Sequence, residues 1–424
     1  MNKEKLILIW TNLCRFFLSA VFIFSGFIKA NDPLGTVYKI QDYLEAWNFV
    51  TLSQNAFPHL LAMLLGIFEF IVGTYLLFGI RRKLTPLVVT IFMLVMTPLT
   101  LWLALDNPIS DCGCFGDAIV LTNWETFFKN IVLLIASVSV LVFSRQMFKL
   151  VTQKVDWIIS LYSVLFIIFF TILCYKRLPV FDFRPYYIGA DIYEGMRIPE
   201  GAKKSVFETV FVYKKDGVKK KFTVDNYPKD TTWTFVDAET VLKEKGYEPP
   251  IKDFSIITQE DGLDITEEVL TDKGYTFLLV APWMNKADDS GIDLINEVYD
   301  YSVDNGYRFL CLTASNDEDI EMWKDNTGAE YPFALMDEIT LKTIVRSSPG
   351  LVLMKDGIII NKWSASNLPD EYALSGPLDE LSIGEVNPHT TAYKILVMLG
   401  WFVLPLLLLN IIDFLWGRLQ RKKK

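Results

Sequence analysis

Six apolar runs, near residues 6–28, 59–80, 84–105, 126–148, 156–174 and 392–415, approach or exceed the roughly 20 residues with which a helix crosses a bilayer. Lipid offers no partner to an open backbone group, so a chain carrying such runs is expected to fold as a membrane-spanning helical bundle. The first run is long and has no Ala-x-Ala site after it, which reads as a span and not as a cleaved signal. At 424 residues, 51% of them hydrophobic, the chain also has room for a second unit outside the membrane.

Basic residues in short loops stay on the cytoplasmic side. Lys3 and Lys5, Arg81 to Lys83, Arg145, Lys149 and Lys154, and Arg418 with Arg421 to Lys424 all fall on one side of a six-span arrangement. Both termini are then cytoplasmic, while loops 29–58 and 106–125 and segment 175–391 lie outside. The expected location is a bacterial inner membrane with the soluble part in the periplasm. Residues 251–390 carry 27 acidic against 9 basic side chains within a net charge of −9, an external charge that disfavours nucleic acid as a partner.

The loop 106–125 contains Asp111-Cys112-Gly113-Cys114-Phe115-Gly116-Asp117. A disulfide across one residue closes a small ring far from relaxed bridge geometry, and strain of that kind makes a bond easier to reduce. Cys112 and Cys114 therefore read as a redox pair, with a structural loop staple and a metal site as the other readings. For a metal the chain offers only His59 and His389 besides the acids. Asp111 and Asp117 are expected to raise the thiol pKa by like charge, opposed by a helix starting near Asn123. Cys14 and Cys311 read as packing residues. Cys174, at the outer end of span five, reads as packing or as a resolving thiol.

Charge inside a span is costly enough to be paired or functional. Arg15 and Glu69, about 14 and 16 Å from the cytoplasmic ends of spans one and two, are expected to meet as an ion pair. The pair would either fix helix docking or mark a ligand or proton path, the second leaving a small-solute carrier open. Gly26, Gly66 and Gly73 supply small surfaces for close helix contact, and Thr97-Pro98 should kink span three. Residues 24–44 read as a surface loop with an amphipathic helix that caps the Cys-Gly-Cys face.

Residues 8–150 resemble the DoxX-like membrane proteins, and within them the methylamine utilisation protein MauE family. The resemblance is carried by Arg15, the Ser25-Gly26-Phe27-Ile28-Lys29 turn with Gly26 and Lys29, Glu69 with Gly73, and the Asp-Cys-Gly-Cys-Phe-Gly block. It implies a four-helix membrane domain tied to thiol and disulfide handling in the cell envelope, the methylamine branch serving maturation of a disulfide-rich dehydrogenase subunit. The bundle is also similar to that of vitamin K epoxide reductase, whose membrane-surface cysteines pass electrons to a quinone; here one residue separates the cysteines instead of two.

After span five, segment 178–187, with two prolines and four aromatics, predicts an ordered collar, and residues 205–224 a hairpin around Lys215-Asp216-Gly217. From 252 to 366 strands alternate with helices: a strand at 253–257, buried strands at 275–281 and 307–313, a helix at 292–305, and two final strands joined at Lys355-Asp356-Gly357. This unit resembles a thioredoxin fold, which implies a cis peptide at Pro349. Met284 and Ala287 stand where that family has its two cysteines, so the unit has no thiol chemistry of its own.

The expected architecture is a four-helix membrane domain (1–150), a fifth span (151–176), a collar and hairpin region (177–250), a thioredoxin-like α/β domain (251–388) and a sixth span with a basic tail (389–424). The expected function is thiol–disulfide exchange or maturation of extracytoplasmic proteins. Its partners would be protein thiols or a separate thioredoxin-like protein, recruited by the non-catalytic domain. A non-enzymatic scaffold with a structural Cys-Gly-Cys loop is the alternative. The chain has no Ser/His/Asp set, phosphate loop, zinc signature or flavin fingerprint.

Overall fold

The computed structural model describes residues 3–203, 206–215, 218–223, 226, 232–244, 246–386 and 391–422. Asp216 and Gly217 of the expected hairpin turn, His389, Lys423 and Lys424 lie outside them. Among the described residues six helices are long and apolar enough to cross a membrane, and the protein is a multi-pass membrane protein.

The chain opens with α1 (Lys3–Asn31), α2 (Pro33–Ala46), α3 (Val50–Ser53), α4 (Phe57–Phe78), α5 (Leu84–Asp106), α6 (Asn123–Val142) and α7 (Asp156–Lys176). Local chemistry sets the boundaries. Asp32 accepts from Gly35 N with Pro33 at the first position of α2, Gly79 closes α4 at φ 70°, and Thr122 with Glu125 forms a capping box for α6. Two expectations are corrected here. Span one runs three residues past 28, so Gly26 and Lys29 belong to its last turns and not to a surface loop. Span four stops at Val142 because the polar Ser144–Gln146 form a 3-10 turn, after which Phe148 folds back beneath α1.

The seam of the bundle is α1 against α4. A Cβ on Gly26 would lie 2.3 Å from Phe70 N, and one on Gly73 would lie 2.6 Å from Ile23 N, so the two backbones touch at both levels. This antiparallel register sets Ser25–Lys29 beside Gly66–Phe70 and Arg15 beside Leu77.

Beyond α7 and the collar come α8 (Ile192–Met196) and a sheet of β1 (Val206–Lys215), β2 (Val218–Thr223) and β3 (Thr234–Glu244), all antiparallel in the order β2-β1-β3. The first two are the expected hairpin; β3 is an addition, and its β-branched and aromatic Thr234, Phe235 and Val236 suit a strand.

The α/β unit contains β4 (Ile257–Thr258), α9 (Thr266–Leu270), β5 (Tyr275–Val280), α10 (Ile292–Asp304), β6 (Arg308–Thr313), α11 (Asp317–Thr327), β7 (Phe333–Leu335), α12 (Glu338–Ile344), β8 (Gly350–Lys355) and β9 (Ile358–Ser364). Its strand order is β4-β7-β6-β5-β8-β9. β5 and β6 are parallel, joined through α10, and β8 and β9 add antiparallel beside β5; this is the thioredoxin arrangement. Every residue of the central β5 is buried because helices cover both faces, α10 and α11 on one, α9 and α12 on the other. Only Ile257 of the expected strand 253–257 enters the sheet, since Ile256 is bonded to Ile265 and Thr266. The peptide Ser348–Pro349 is cis. The last helix, α13, spans Thr391–Lys422.

Gly26→Leu is expected to lower the melting temperature of the purified protein by several degrees, since overpacking costs about 1–3 kcal/mol. Gly400→Ala, where a Cβ meets nothing within 4 Å, is expected to melt like the parent.

Candidate functional site

The loop from α5 to α6 crosses the mouth of the bundle. Gly113, at φ 67°, turns the chain between the two cysteines, a conformation that favours glycine. Both sulfurs then face the same side and lie 2.7 Å apart, so closing a bond of about 2.05 Å asks for little movement of the loop. Cys112 is buried and Cys114 is partly exposed.

Three donors hold this loop by its carbonyls. Lys29 Nζ donates to Cys114 O at 2.9 Å, Ser25 Oγ to the same oxygen at 2.8 Å, and Tyr43 OH to Cys112 O at 3.3 Å. Lys29 also forms a buried ion pair with Glu69 at 2.8 Å and donates to Ser25 Oγ at 2.7 Å, so all three ammonium protons are placed. Tyr43 belongs to α2, which caps the Cys-Gly-Cys face as expected.

The expected Arg15–Glu69 pair does not form. In the α1–α4 register Glu69 lies level with Ser25 to Lys29, about 15 Å along the helix from Arg15. Arg15 is fully buried at the other end. Its guanidinium donates to Leu77 O at 2.9 Å, to Asn12 Oδ1 at 3.1 Å and to Phe148 O, and lies over the rings of Phe16 and Phe148. A cation suits the open carbonyls of a helix C-terminus, and Arg15 ties the last turn of α4 and the segment after α6 to α1.

Neither aspartate acts on the thiols as a free like charge. Asp111 pairs with Lys39 at 2.8 Å and accepts from Gly113 N at 2.9 Å; Asp117 pairs with Arg346 at 3.0 Å. Lysines act in the opposite sense. The Cys114 thiol is lowered to about 6, chiefly by a hydrogen bond from the Cys112 S–H, with help from Lys129 and Lys29. Cys112, donor of that bond and buried, is pushed up. The expected upward shift is thus corrected for Cys114. Lys129 also lies 4.3 Å from the centre of the Phe115 ring.

Below the sulfurs lies a cavity of about 220 Å³ reached by both cysteines. Its walls are apolar, including Leu65, Phe92, Met96 and Leu133, while Lys29, Glu69 and Asn130 stand among them as polar groups. Among the described residues no third metal ligand joins the sulfurs: Asp111 and Asp117 are in ion pairs, and His59 is hydrogen-bonded to Tyr175 at 3.0 Å. Cys174 is packed with Ala30, Phe170 and Phe181, in a cluster apart from the one that holds Cys112 and Cys114. Cys14 and Cys311 lie in the bundle and sheet cores.

The α/β unit reaches the same loop. Arg346, three residues before Pro349, donates to Asp32 at 2.9 and 3.2 Å and to Asp117 at 3.0 Å, and it is 8% exposed. Tyr38 lies beneath both Arg346 and Lys342. Met284 is buried in a 3-10 turn, Met284–Lys286, with Ser315 Oγ accepting from its N–H at 2.8 Å. Tyr43, Lys129 and Arg346 as site residues escaped the sequence reading, which had Lys29 in a surface-loop motif and not as the partner of Glu69. Lys129 carried a visible signal, a charge inside an apolar run, whereas Arg346 had none because its partners are more than 200 residues away.

Lys29→Met leaves Glu69 buried without its cation and is expected to cost about 3–5 kcal/mol. The double variant Lys29→Met with Glu69→Leu is expected to recover most of that loss in a thermal melt while leaving Cys114 O with one donor fewer.

Residues 5–143 match the family of methylamine utilisation protein MauE, and residues 207–245 match a domain of unknown function (DUF8463). No curated protein shows significant sequence similarity to the chain. Among solved structures, a candidate protein disulfide isomerase from Bacteroides thetaiotaomicron is 19% identical over 28% of this chain and 79% of its own, with a TM-score of 0.23. An uncharacterized conserved protein from Geobacillus kaustophilus is 13% identical over 32% of this chain and 82% of its own, with a TM-score of 0.25. The thioredoxin arrangement rests on the strand order itself. The amino-terminal third of this membrane protein matches the MauE family, and the same chain carries a thioredoxin-like α/β unit.

Proposed function

We propose that this protein carries out thiol–disulfide exchange at the outer face of a bacterial inner membrane, serving the maturation of extracytoplasmic proteins. The observation that carries the reading is the geometry of the pair: Cys114 partly exposed, the sulfur of the buried Cys112 at 2.7 Å, and the cations of Lys29 and Lys129 lowering the Cys114 thiol. Reactive thiols sit in such electropositive, half-open surroundings. The basic residues at the opposite end of the bundle support cytoplasmic termini and an external loop.

In the oxidising direction a client thiolate attacks Cys114 Sγ, and the Cys112–Cys114 bond breaks to release the Cys112 thiolate. A second client thiolate then attacks the client sulfur of this mixed disulfide, forming the client disulfide and releasing Cys114. Two electrons pass from client to pair, and the same mixed disulfide serves the reverse direction, in which Cys112 resolves it. The thioredoxin-like unit, with Met284 and Ala287 in place of thiols, recruits the client or a separate thioredoxin-like protein.

The reduced pair must be reoxidised, and the cavity beneath it fits a lipid-soluble quinone as acceptor. Phe92, Met96 and Leu133 would flank the ring, and Asn130 would meet one of its oxygens. Such a group takes up two electrons and two protons when bound.

In cells quenched with acid and treated with a maleimide, the parent pair is expected to appear in both redox forms and to shift with added reductant. Cys112→Ser is expected to accumulate a mixed disulfide through Cys114. A pair that never exchanges, with no trapped partner, would favour the structural-loop scaffold. In the purified, reduced protein, alkylation at Cys114 is expected to fall as pH drops through about 6, as its thiolate is lost. Lys129→Met removes a stabilising cation, so its midpoint is expected to move to higher pH.

A further inference from the structure

The last helix stands away from the bundle over much of its length. α13 is held at one end by Asp413, which accepts from Thr152 N and Oγ1 at 2.8 and 2.7 Å, and at mid-height by Phe402 and by Trp401 O, which accepts from Tyr162. Above that, Lys394 Nζ reaches Val180 O of the collar at 3.3 Å. Between these contacts lies an apolar space of about 670 Å³, walled by Phe24, Phe27, Phe166 and Met398 among others. A second space of about 750 Å³ lies at the level of the collar, lined by Asp182, Arg184, Lys362 and Lys394. Phe181 and Phe183 line both, and α13 passes from Lys394 in the upper to Ile395 in the lower. The two form one slot, polar at the membrane surface and apolar below.

The upper part carries an excess of positive charge. Asp182 accepts from Arg184 Nε and from Lys362 Nζ, each at 2.8 Å, so one carboxylate serves two cations. Arg184 is 4% exposed and Lys362 7%. Lys394 has no carboxylate partner among the described residues. Burial lowers Lys362 to about 8, with Asp182 acting against that shift and Arg184 adding to it. An apolar space open along a spanning helix fills with hydrocarbon, because water there would find no polar partners.

We infer that this slot binds one anionic phospholipid, its phosphate held at Lys394, Lys362 and Arg184 and an acyl chain laid between α13 and α1. A phosphate accepts charge-assisted hydrogen bonds from lysine and arginine, and the chain is placed where α13 lacks protein contacts. The lipid fastens α13, and through the collar the α/β unit, to the bundle. This inference stands apart from the chemistry of the cysteine pair.

Native mass spectrometry of the full-length protein in detergent, titrated with phosphatidylglycerol or phosphatidylcholine, tests it. Phosphatidylglycerol is expected to bind the parent about tenfold more tightly, equivalent to about 1.4 kcal/mol. Lys394→Glu is expected to abolish that preference and Lys394→Gln to reduce it, with a melting temperature like the parent's in both, which shows that the variants are folded. Met398→Trp, which narrows the apolar part, is expected to weaken both lipids. Inorganic phosphate is expected neither to displace the lipid nor to raise the melting temperature. Equal binding of the two lipids, an unaltered preference in Lys394→Glu, or displacement by phosphate alone would overturn the assignment.

Discussion

The ammonium of Lys29 is the point on which the outer end of the bundle depends. One charge, buried where charge is expensive, is matched by Glu69 from the neighbouring helix, and its remaining protons go to Ser25 and to the carbonyl of Cys114. The pair can meet only because Gly26, Gly66 and Gly73 bring α1 and α4 into backbone contact, which sets the register that puts Glu69 level with Lys29. Helix contact, ion pair and loop position are therefore one arrangement. A half-satisfied group anywhere in it would cost more than an apolar replacement. The same lysine adds to the field that favours the Cys114 thiolate, so the group that positions the loop also tunes it.

The thioredoxin-like unit contributes a different constraint. Its cysteine positions hold Met284 and Ala287, yet the stretch before its cis proline still points at a thiol pair, the one in the membrane domain. Arg346 joins Asp32 at the start of α2 to Asp117 on the far side of the Cys-Gly-Cys loop. Such a bridge, 8% exposed, is worth more in position than in net stability, since desolvating a guanidinium offsets much of the attraction. The fixed consequence is proximity: the segment before Pro349 is held beside the loop that carries Cys112 and Cys114.

The spans were legible in the sequence because hydropathy alone decides them, and the α/β order was legible because buried strands such as Tyr275–Val280 are continuous apolar runs between turn signals. The motif Asp-Cys-Gly-Cys announced the site. Its electrostatics were not legible. Asp111 and Asp117 looked like free charges beside the thiols, and only the fold supplies Lys39 and Arg346 as their partners. Arg15 and Glu69 looked like each other's partner because depth in a bilayer can be counted, whereas the register of two antiparallel helices cannot. A shift of a few residues in where span one ends, from Ile28 to Asn31, turned Lys29 from a loop residue into the cation that Glu69 required.

The placement of the cysteines also limits where electrons can go. Cys14, Cys174 and Cys311 are buried in three other clusters, so among the described residues no further thiol lies beside Cys112 and Cys114. The proposed exchange would then run without a relay inside the chain. The pair opens instead in two directions: outward past Cys114, beside the α/β unit, and inward to the apolar cavity that both sulfurs line. In our reading an exchange protein with one dithiol needs both, one side for the client and one for the acceptor. A loop that served only as a staple would have use for neither.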